Sequence, residues 1–230
     1  MKLATYKNDS RDGQLMLVSR DLKLTCSAAP VAKTMQQLLD NWDELFEPLN
    51  ERYQALCSGE LLAEKFDVQQ CHSPLPRAYH WADGSAYVNH VELVRRARGA
   101  EVPESFWHDP LMYQGGSDDF IGPFDDIEVP DESMGIDFEA EIAVVTADVP
   151  MGTADEHAGN FIKLLMLVND VSLRGLIPGE LAKGFGFYQS KPATTFAPVA
   201  VTPDELGDHW HNGTINLPLL TYLNGKLFGQ

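Results

Sequence analysis

The chain has 230 residues, with 34 acidic and 17 basic side chains and a formal net charge of −17. A surface field of that sign repels phosphate backbones and anionic head groups, which excludes nucleic acid and anionic membranes as partners. Hydrophobic residues at 44% and charged residues at 22% are ordinary globular values, against disorder, and no apolar run reaches the length of a membrane span. Cys26, Cys57 and Cys71 lie far apart with no CxxC, and the N-terminus turns polar at Lys7-Asn8-Asp9 before any secretory hydrophobic region. Both features point to a reducing, cytoplasmic setting.

In chain order, Leu3–Tyr6 and Leu15–Val18 flank the turn-forming run Asn8-Asp9-Ser10-Arg11-Asp12-Gly13 and predict a hairpin, with Leu22–Cys26 as a third strand. Met35, Leu38, Leu39, Trp42, Leu45, Phe46 and Leu49 recur at helical spacing. Thr34 is placed to cap that helix, and Pro48 to break or restart it. A second helical stretch is expected over Glu51–Cys57, continuing through Leu61–Lys65. Residues 1–72 therefore read as a small α+β module. Beyond residue 72 Pro and Gly punctuate short apolar runs, which predicts a β-rich domain over 73–230 with long ordered loops. Its expected strands are Asp137–Thr146, Leu164–Val168, Phe196–Val201 and Leu217–Leu223. The fold class is α+β, β-rich.

The segment Asp137-Phe138-Glu139-Ala140-Glu141 carries the most chemistry. On a strand Glu139 and Glu141 share a face, about 6.5–7 Å apart, while Ile136, Phe138, Ala140 and Ile142 form an opposite face expected to be buried. The acids read either as a solvated acidic face or as hard oxygen ligands for Mg²⁺ or Ca²⁺. Asp170 ends the run Leu164–Val168, as a turn residue or a third carboxylate, with Arg174 four residues on. Asp83 lies beside Gly84 and seven residues before His90. Each reads alone as a turn or surface residue. None of the seven histidines sits in a zinc pattern, and no GxSxG or Walker-type loop occurs. Lys191 stands in a stretch nearly free of charge, as a surface residue or as an electrophilic donor in a pocket.

Together these segments resemble the fumarylacetoacetate hydrolase family over roughly residues 70–225. Asp83…His90, Tyr113-Gln114-Gly115-Gly116, Glu139-Ala140-Glu141, Asn169-Asp170…Arg174 and Lys191 followed by Thr194-Thr195 stand in the family's order. The resemblance implies a mixed β-sandwich or roll catalytic domain. It makes Asp83, Glu139, Glu141 and Asp170 the metal ligands, His90 the general base, and Tyr113, Arg174, Lys191 and Thr195 the substrate contacts. Arg174 and Lys191 would also stabilise the developing oxyanion. The implied cofactor is Mg²⁺ or Ca²⁺, with Mn²⁺ also admitted, and no organic cofactor.

The implied reaction is metal-dependent hydrolysis of a carbon–carbon bond in a β-diketo acid, fumarylacetoacetate above all, as in tyrosine and other aromatic breakdown. Related activities on fumarylpyruvate, acylpyruvates or other oxo-acids, and a non-catalytic cation-binding protein, remain alternatives. Two departures from the family pattern stand out: Ile177 replaces a glutamine common after the arginine, and Arg95, Arg96 and Arg98 follow His90 with no clear substrate contact among them. The expected partners are a small oxo-acid and a second copy in a homodimer. Asn224-Gly225 predicts a hairpin turn close to Gln230. Because the family fold continues well past this point, the chain is expected to be a C-terminally truncated fragment, lacking the carboxylate that would orient His90.

Overall fold

The structure, a computed structural model, describes every residue except Arg98. The N-terminal hairpin forms as expected from β1 (Lys2–Tyr6) and β2 (Gln14–Val18), and β3 (Leu24–Ser27) adds to β2. The third strand starts two residues later than expected because Leu22 has a φ of 61°, a conformation that strands do not use.

Thr34 caps α1 (Met35–Asp40), its hydroxyl accepting from the Gln37 N–H at 3.1 Å. The helical break falls at Asn41 rather than Pro48, and α2 (Trp42–Ser58) carries Pro48 inside it. A mid-helix proline costs roughly 3 kcal/mol, and burial of Leu49, Tyr53 and Leu56 on the following turns offsets that cost. Gly59, at φ 81°, ends α2 in the left-handed conformation. The expected continuation through Leu61–Lys65 is therefore absent, and the chain forms β4 (Glu64–Lys65) on β3 instead.

β5 (Trp81–Gly84) leads to α3 (Val88–Ala97) and then pairs with β6 (Met112–Gly115). Next come β7 (Ile136–Asp137), β8 (Ala140–Thr146), α4 (Asp155–Ala158), β9 (Ile162–Asn169), β10 (Ser172–Leu173) and α5 (Ile177–Leu181). β11 (Thr195–Phe196) and β12 (Ala200–Val201) both pair with β9, and the gap between them holds Pro198, which has no N–H for a ladder. The strand expected over Phe196–Val201 is thus two short ones. β13 (Trp210–His211) pairs with β14 (Thr214–Ile215), and β15 (Thr221–Leu223) with β16 (Lys226–Gly229). The last hairpin turns at Asn224 and Gly225, both at positive φ as a two-residue type I′ turn needs. No helix among the described residues is long and apolar enough to cross a membrane.

β12 pairs with β1, so a single eight-stranded sheet joins residues 2–27 to residues 140–201. Its inner face carries Leu3, Leu15, Leu17, Ala143, Val145, Leu164, Met166 and Val168, in one core cluster with Leu38, Leu49, Tyr53 and Leu56 of α1 and α2. This reverses the expectation for the strand around Glu139. The face holding Glu139 and Glu141 is the one that runs on into the core, while Ile136, Phe138 and Ile142 are 41–50% exposed. Glu141 alternates with buried Ala143 and Val145, so the acids sit where the core-facing row of side chains ends.

Trp81 anchors the next layer. Its ring meets Phe120 and Phe196 edge-on at 5.8 and 5.5 Å. Across the β5–β6 pair Trp81 faces Gly115, where a Cβ would come within 2.3 Å of the indole. Gly115→Ala should therefore displace Trp81 and with it the strand carrying Asp83. Overpacking of this kind costs about 1–3 kcal/mol, so thermal unfolding should show Tm lowered by several degrees. An unchanged Tm would show that the indole yields without cost.

Candidate active site

The strand expected over Asp137–Thr146 is interrupted at Phe138-Glu139, and the interruption builds the site. Ala140 faces Asn169 and Asp137 faces Ser172, so Glu139 stands opposite Asp170 across an antiparallel pair. The Asp170 N–H donates to the Glu139 carbonyl at 3.0 Å, and the Glu139 N–H donates to the Asn169 side chain at 3.1 Å instead of to a backbone carbonyl. Asn169, which the sequence offered only as Asp170's neighbour, thus closes the gap in the ladder. Asp170 is 1% exposed.

Three carboxylates converge. One oxygen from each of Asp83, Glu141 and Asp170 lies within 4.8 Å of the other two. Asp83 comes from β5, Glu141 from β8, and Asp170 from the bend after β9. Burial, then the neighbouring Asp170 carboxylate, pushes the Asp83 carboxyl up to about 6. Burial, then the charges of Asp83, Asp170 and Glu139, pushes Glu141 up to about 8. Three hard oxygen donors under mutual repulsion, with no sulfur or imidazole among them, fit a Mg²⁺-, Ca²⁺- or Mn²⁺-type ion.

Glu139, the fourth expected ligand, stands outside this triad. One of its oxygens takes the Arg174 guanidinium and the other takes Lys191 Nζ at 2.8 Å. Lys191 Nζ also donates to Asp170 Oδ2 at 2.6 Å and Ser172 Oγ at 2.7 Å. Burial alone would lower the Lys191 pKa, but the charges of Asp170 and Glu139 outweigh it and hold the pKa above its ordinary value. Glu180 of α5 fixes the approach to the lysine by accepting the N–H groups of Tyr188, Gln189 and Ser190 at 2.7–3.2 Å. Arg174 Nε is bound to Asp137 at 2.7 Å, so this guanidinium spans two carboxylates.

Tyr113, facing Asp83 across β5–β6, donates its hydroxyl to Asp170 Oδ2 at 2.7 Å. Burial and the Asp170 charge raise its pKa. Thr195 donates to the Gly122 carbonyl at 2.9 Å. It is Thr194 that faces Asp170, at 3.3 Å, as alternation with buried Phe196 requires. The sequence motifs include Asp137 and Thr194 without giving either a role, and they omit Ser172 and Phe187, whose ring meets Tyr113 edge-on at 4.8 Å. The alternation of Asp137 with Glu139 and Glu141 was a readable signal for the first of these; nothing local marked Ser172 or Phe187. His90 is exposed on α3, and Arg98 lies outside the described residues.

Residues 79–229 match the family described as Fumarylacetoacetate (FAA) hydrolase C-terminal, and residues 1–77 match Fumarylacetoacetase N-terminal domain 2. The chain belongs to the fumarylacetoacetate hydrolase family. One curated relative is the 2,4-didehydro-3-deoxy-L-rhamnonate hydrolase of Sphingomonas sp. (strain SKA58), 32% identical over 44% of this chain and 35% of its own length. Another is the mitochondrial oxaloacetate tautomerase fahd2 of Xenopus laevis, 28% identical over 63% of this chain and 41% of its own length. The match thus spans less than half the length of either. The maleylpyruvate hydrolase of Sphingobium sp. SYK-6, solved with manganese(II) and pyruvate, shares the fold. It has a TM-score of 0.59 at 15% identity, covering 91% of this chain and 70% of its own. The family thus includes both hydrolases and a tautomerase.

The raised carboxyls have a consequence for stability. Between about pH 4 and the folded values near 6 and 8, the folded chain binds more protons at Asp83 and Glu141 than the unfolded chain does. The stabilisation is fully present below about pH 4 and is lost as pH rises through about 6 and then about 8. Thermal unfolding of chelator-treated protein should therefore show Tm falling across this window. Mg²⁺ or Mn²⁺ should restore it at pH 8 far more than at pH 5, and Glu141→Gln should flatten the upper part of the fall. A Tm indifferent to the ions at pH 8 would count against a cation site here.

Proposed function

We propose that the chain is a divalent-cation-dependent enzyme that hydrolyses a carbon–carbon bond in a small β-diketo acid. The preferred substrates are fumarylacetoacetate and its acylpyruvate analogues. The observation that carries the reading is the convergence of Asp83, Glu141 and Asp170 beside Lys191. These three acids would hold the ion, which when bound supplies Lewis-acid polarisation of substrate oxygens. Lys191 is the one ammonium inside the cluster among the described residues; it is held by Glu139 and Asp170 and would meet an anionic oxygen once those hydrogen bonds are exchanged. Tyr113, whose hydroxyl donates to Asp170, stands on the same side. Arg174, committed to Asp137 and Glu139, acts by fixing Glu139 rather than by touching substrate. His90 is assigned the proton of the attacking water; hydroxide adds to a carbonyl carbon, the adjacent carbon–carbon bond breaks, and the electron pair leaves as an enolate that is then protonated.

The test is loss of diketone ultraviolet absorbance from fumarylacetoacetate and acylpyruvates, with Mg²⁺ or Mn²⁺ and with chelator. Cation-dependent loss is expected, and loss that survives complete chelation would sink the cation requirement. Asp83→Asn and Glu141→Gln should each abolish the cation-dependent loss of absorbance.

The position of His90 favours a second reading, keto–enol tautomerisation of an oxo-acid. That reaction moves one proton between carbon and oxygen and needs no activated water. Lys191 and Tyr113 are hydrogen-bonded within the cluster, whereas His90 is exposed on α3. His90→Ala separates the two. Hydrolysis through His90 predicts kcat lowered by about 10²–10⁴ with cation binding intact, whereas tautomerisation of oxaloacetate should continue at the unmutated rate.

A further inference from the structure

We infer that Lys191 and a divalent ion compete for the same acids, so that binding of the ion releases the lysine toward substrate. The inference rests on the cation site proposed above and adds a linkage within it. All three hydrogens of the Lys191 ammonium have acceptors, at 2.6 Å on Asp170, 2.8 Å on Glu139 and 2.7 Å on Ser172. The side chains of Lys191 and Glu139 are 10% and 11% exposed, so water screens little between them.

Asp170 is the shared group. It belongs to the triad with Asp83 and Glu141, and its Oδ2 receives both Lys191 and Tyr113. An ion placed against Asp170 would stand beside the ammonium, and two cations so close in a half-buried site repel strongly. The doubly charged ion takes the greater share of the carboxylate charge, and the lysine gives way. The Tyr113 and Phe187 ring centroids already lie 5.5 and 5.9 Å from Nζ, so a small displacement off the acids keeps the ammonium beside two aromatic rings. Glu139, freed from one of its two cations, becomes available to the ion.

The order of events follows: ion first, then the anionic oxo-acid, because until the ion arrives the ammonium already has its full set of acceptors. The linkage runs both ways, since a group displaced by an ion must weaken that ion's binding while it stays.

The experiment is calorimetric titration of Mn²⁺ into the wild-type chain, Lys191→Met and Lys191→Gln, with competitive acetic anhydride labelling of wild-type lysines read by mass spectrometry. The expected result is Mn²⁺ affinity tightened on the order of ten-fold in both variants. Lys191 should also acetylate faster in wild-type protein once Mn²⁺ is added, while other lysines do not change. Affinity unchanged or weakened in a folded variant overturns the inference. If neither variant folds, labelling of the wild-type chain decides, and a Lys191 rate indifferent to Mn²⁺ overturns it. Failure of the wild-type chain to bind Mn²⁺ at all would instead remove the cation site itself, and the inference with it.

Discussion

Glu139 and Asp170 are forced into opposition by strand register, and the rest of the site is organised around that repulsion. Two like charges directly across an antiparallel pair destabilise a sheet unless a cation lies between them. Lys191 supplies that cation, and Arg174 adds a second on the far side of Glu139. Tyr113, Ser172 and Thr194 then fill the remaining hydrogen-bonding positions around Asp170 and the ammonium. Among the described residues, no buried side-chain oxygen or nitrogen lacks a partner. A buried cluster this charged survives only when it is satisfied so completely.

The scaffold explains how such a cluster reaches the core without destroying it. The acids occupy the last positions of a core-facing row, beyond Ala143 and Val145, so the charged patch borders the apolar one. Trp81 and Asp83 alternate on β5 in the same way. The indole enters the aromatic cluster and the carboxylate two residues on enters the site. Each functional strand is thus held by an apolar side chain of matching parity, and the site inherits the rigidity of the core.

The same geometry sets the local electrostatics against the global ones. A chain of net charge −17 repels an anionic substrate at distance. Near the site that repulsion is answered by Lys191 and Arg174, yet both already serve carboxylates of the chain itself. On the proposed function, attraction for an anionic substrate would therefore depend on changing the balance of charge within the cluster, which a divalent ion would do.

The sequence by itself determined the N-terminal hairpin, the Thr34 cap, the Asn224-Gly225 turn and the family, because each is written in short-range pattern: alternation, capping chemistry, turn residues and ordered motifs. It also marked Asp83, Glu141, Asp170, Tyr113 and Lys191, which the tertiary structure brings together. Period-two alternation fixed that Glu139 and Glu141 share a face, but not which face the helices cover, and that choice went the opposite way. Nor does alternation within one strand reveal what stands across from it. The pairing of Glu139 with Asp170, and its diversion from the carboxylate triad to Arg174 and Lys191, depend on register between segments about thirty residues apart. Thr194 rather than Thr195 meets Asp170 because Phe196 is the buried residue, a fact of packing. His90 shows the same limit: its spacing from Asp83 is local, but its distance from the carboxylates is set by where α3 lies, and only the folded chain decides that.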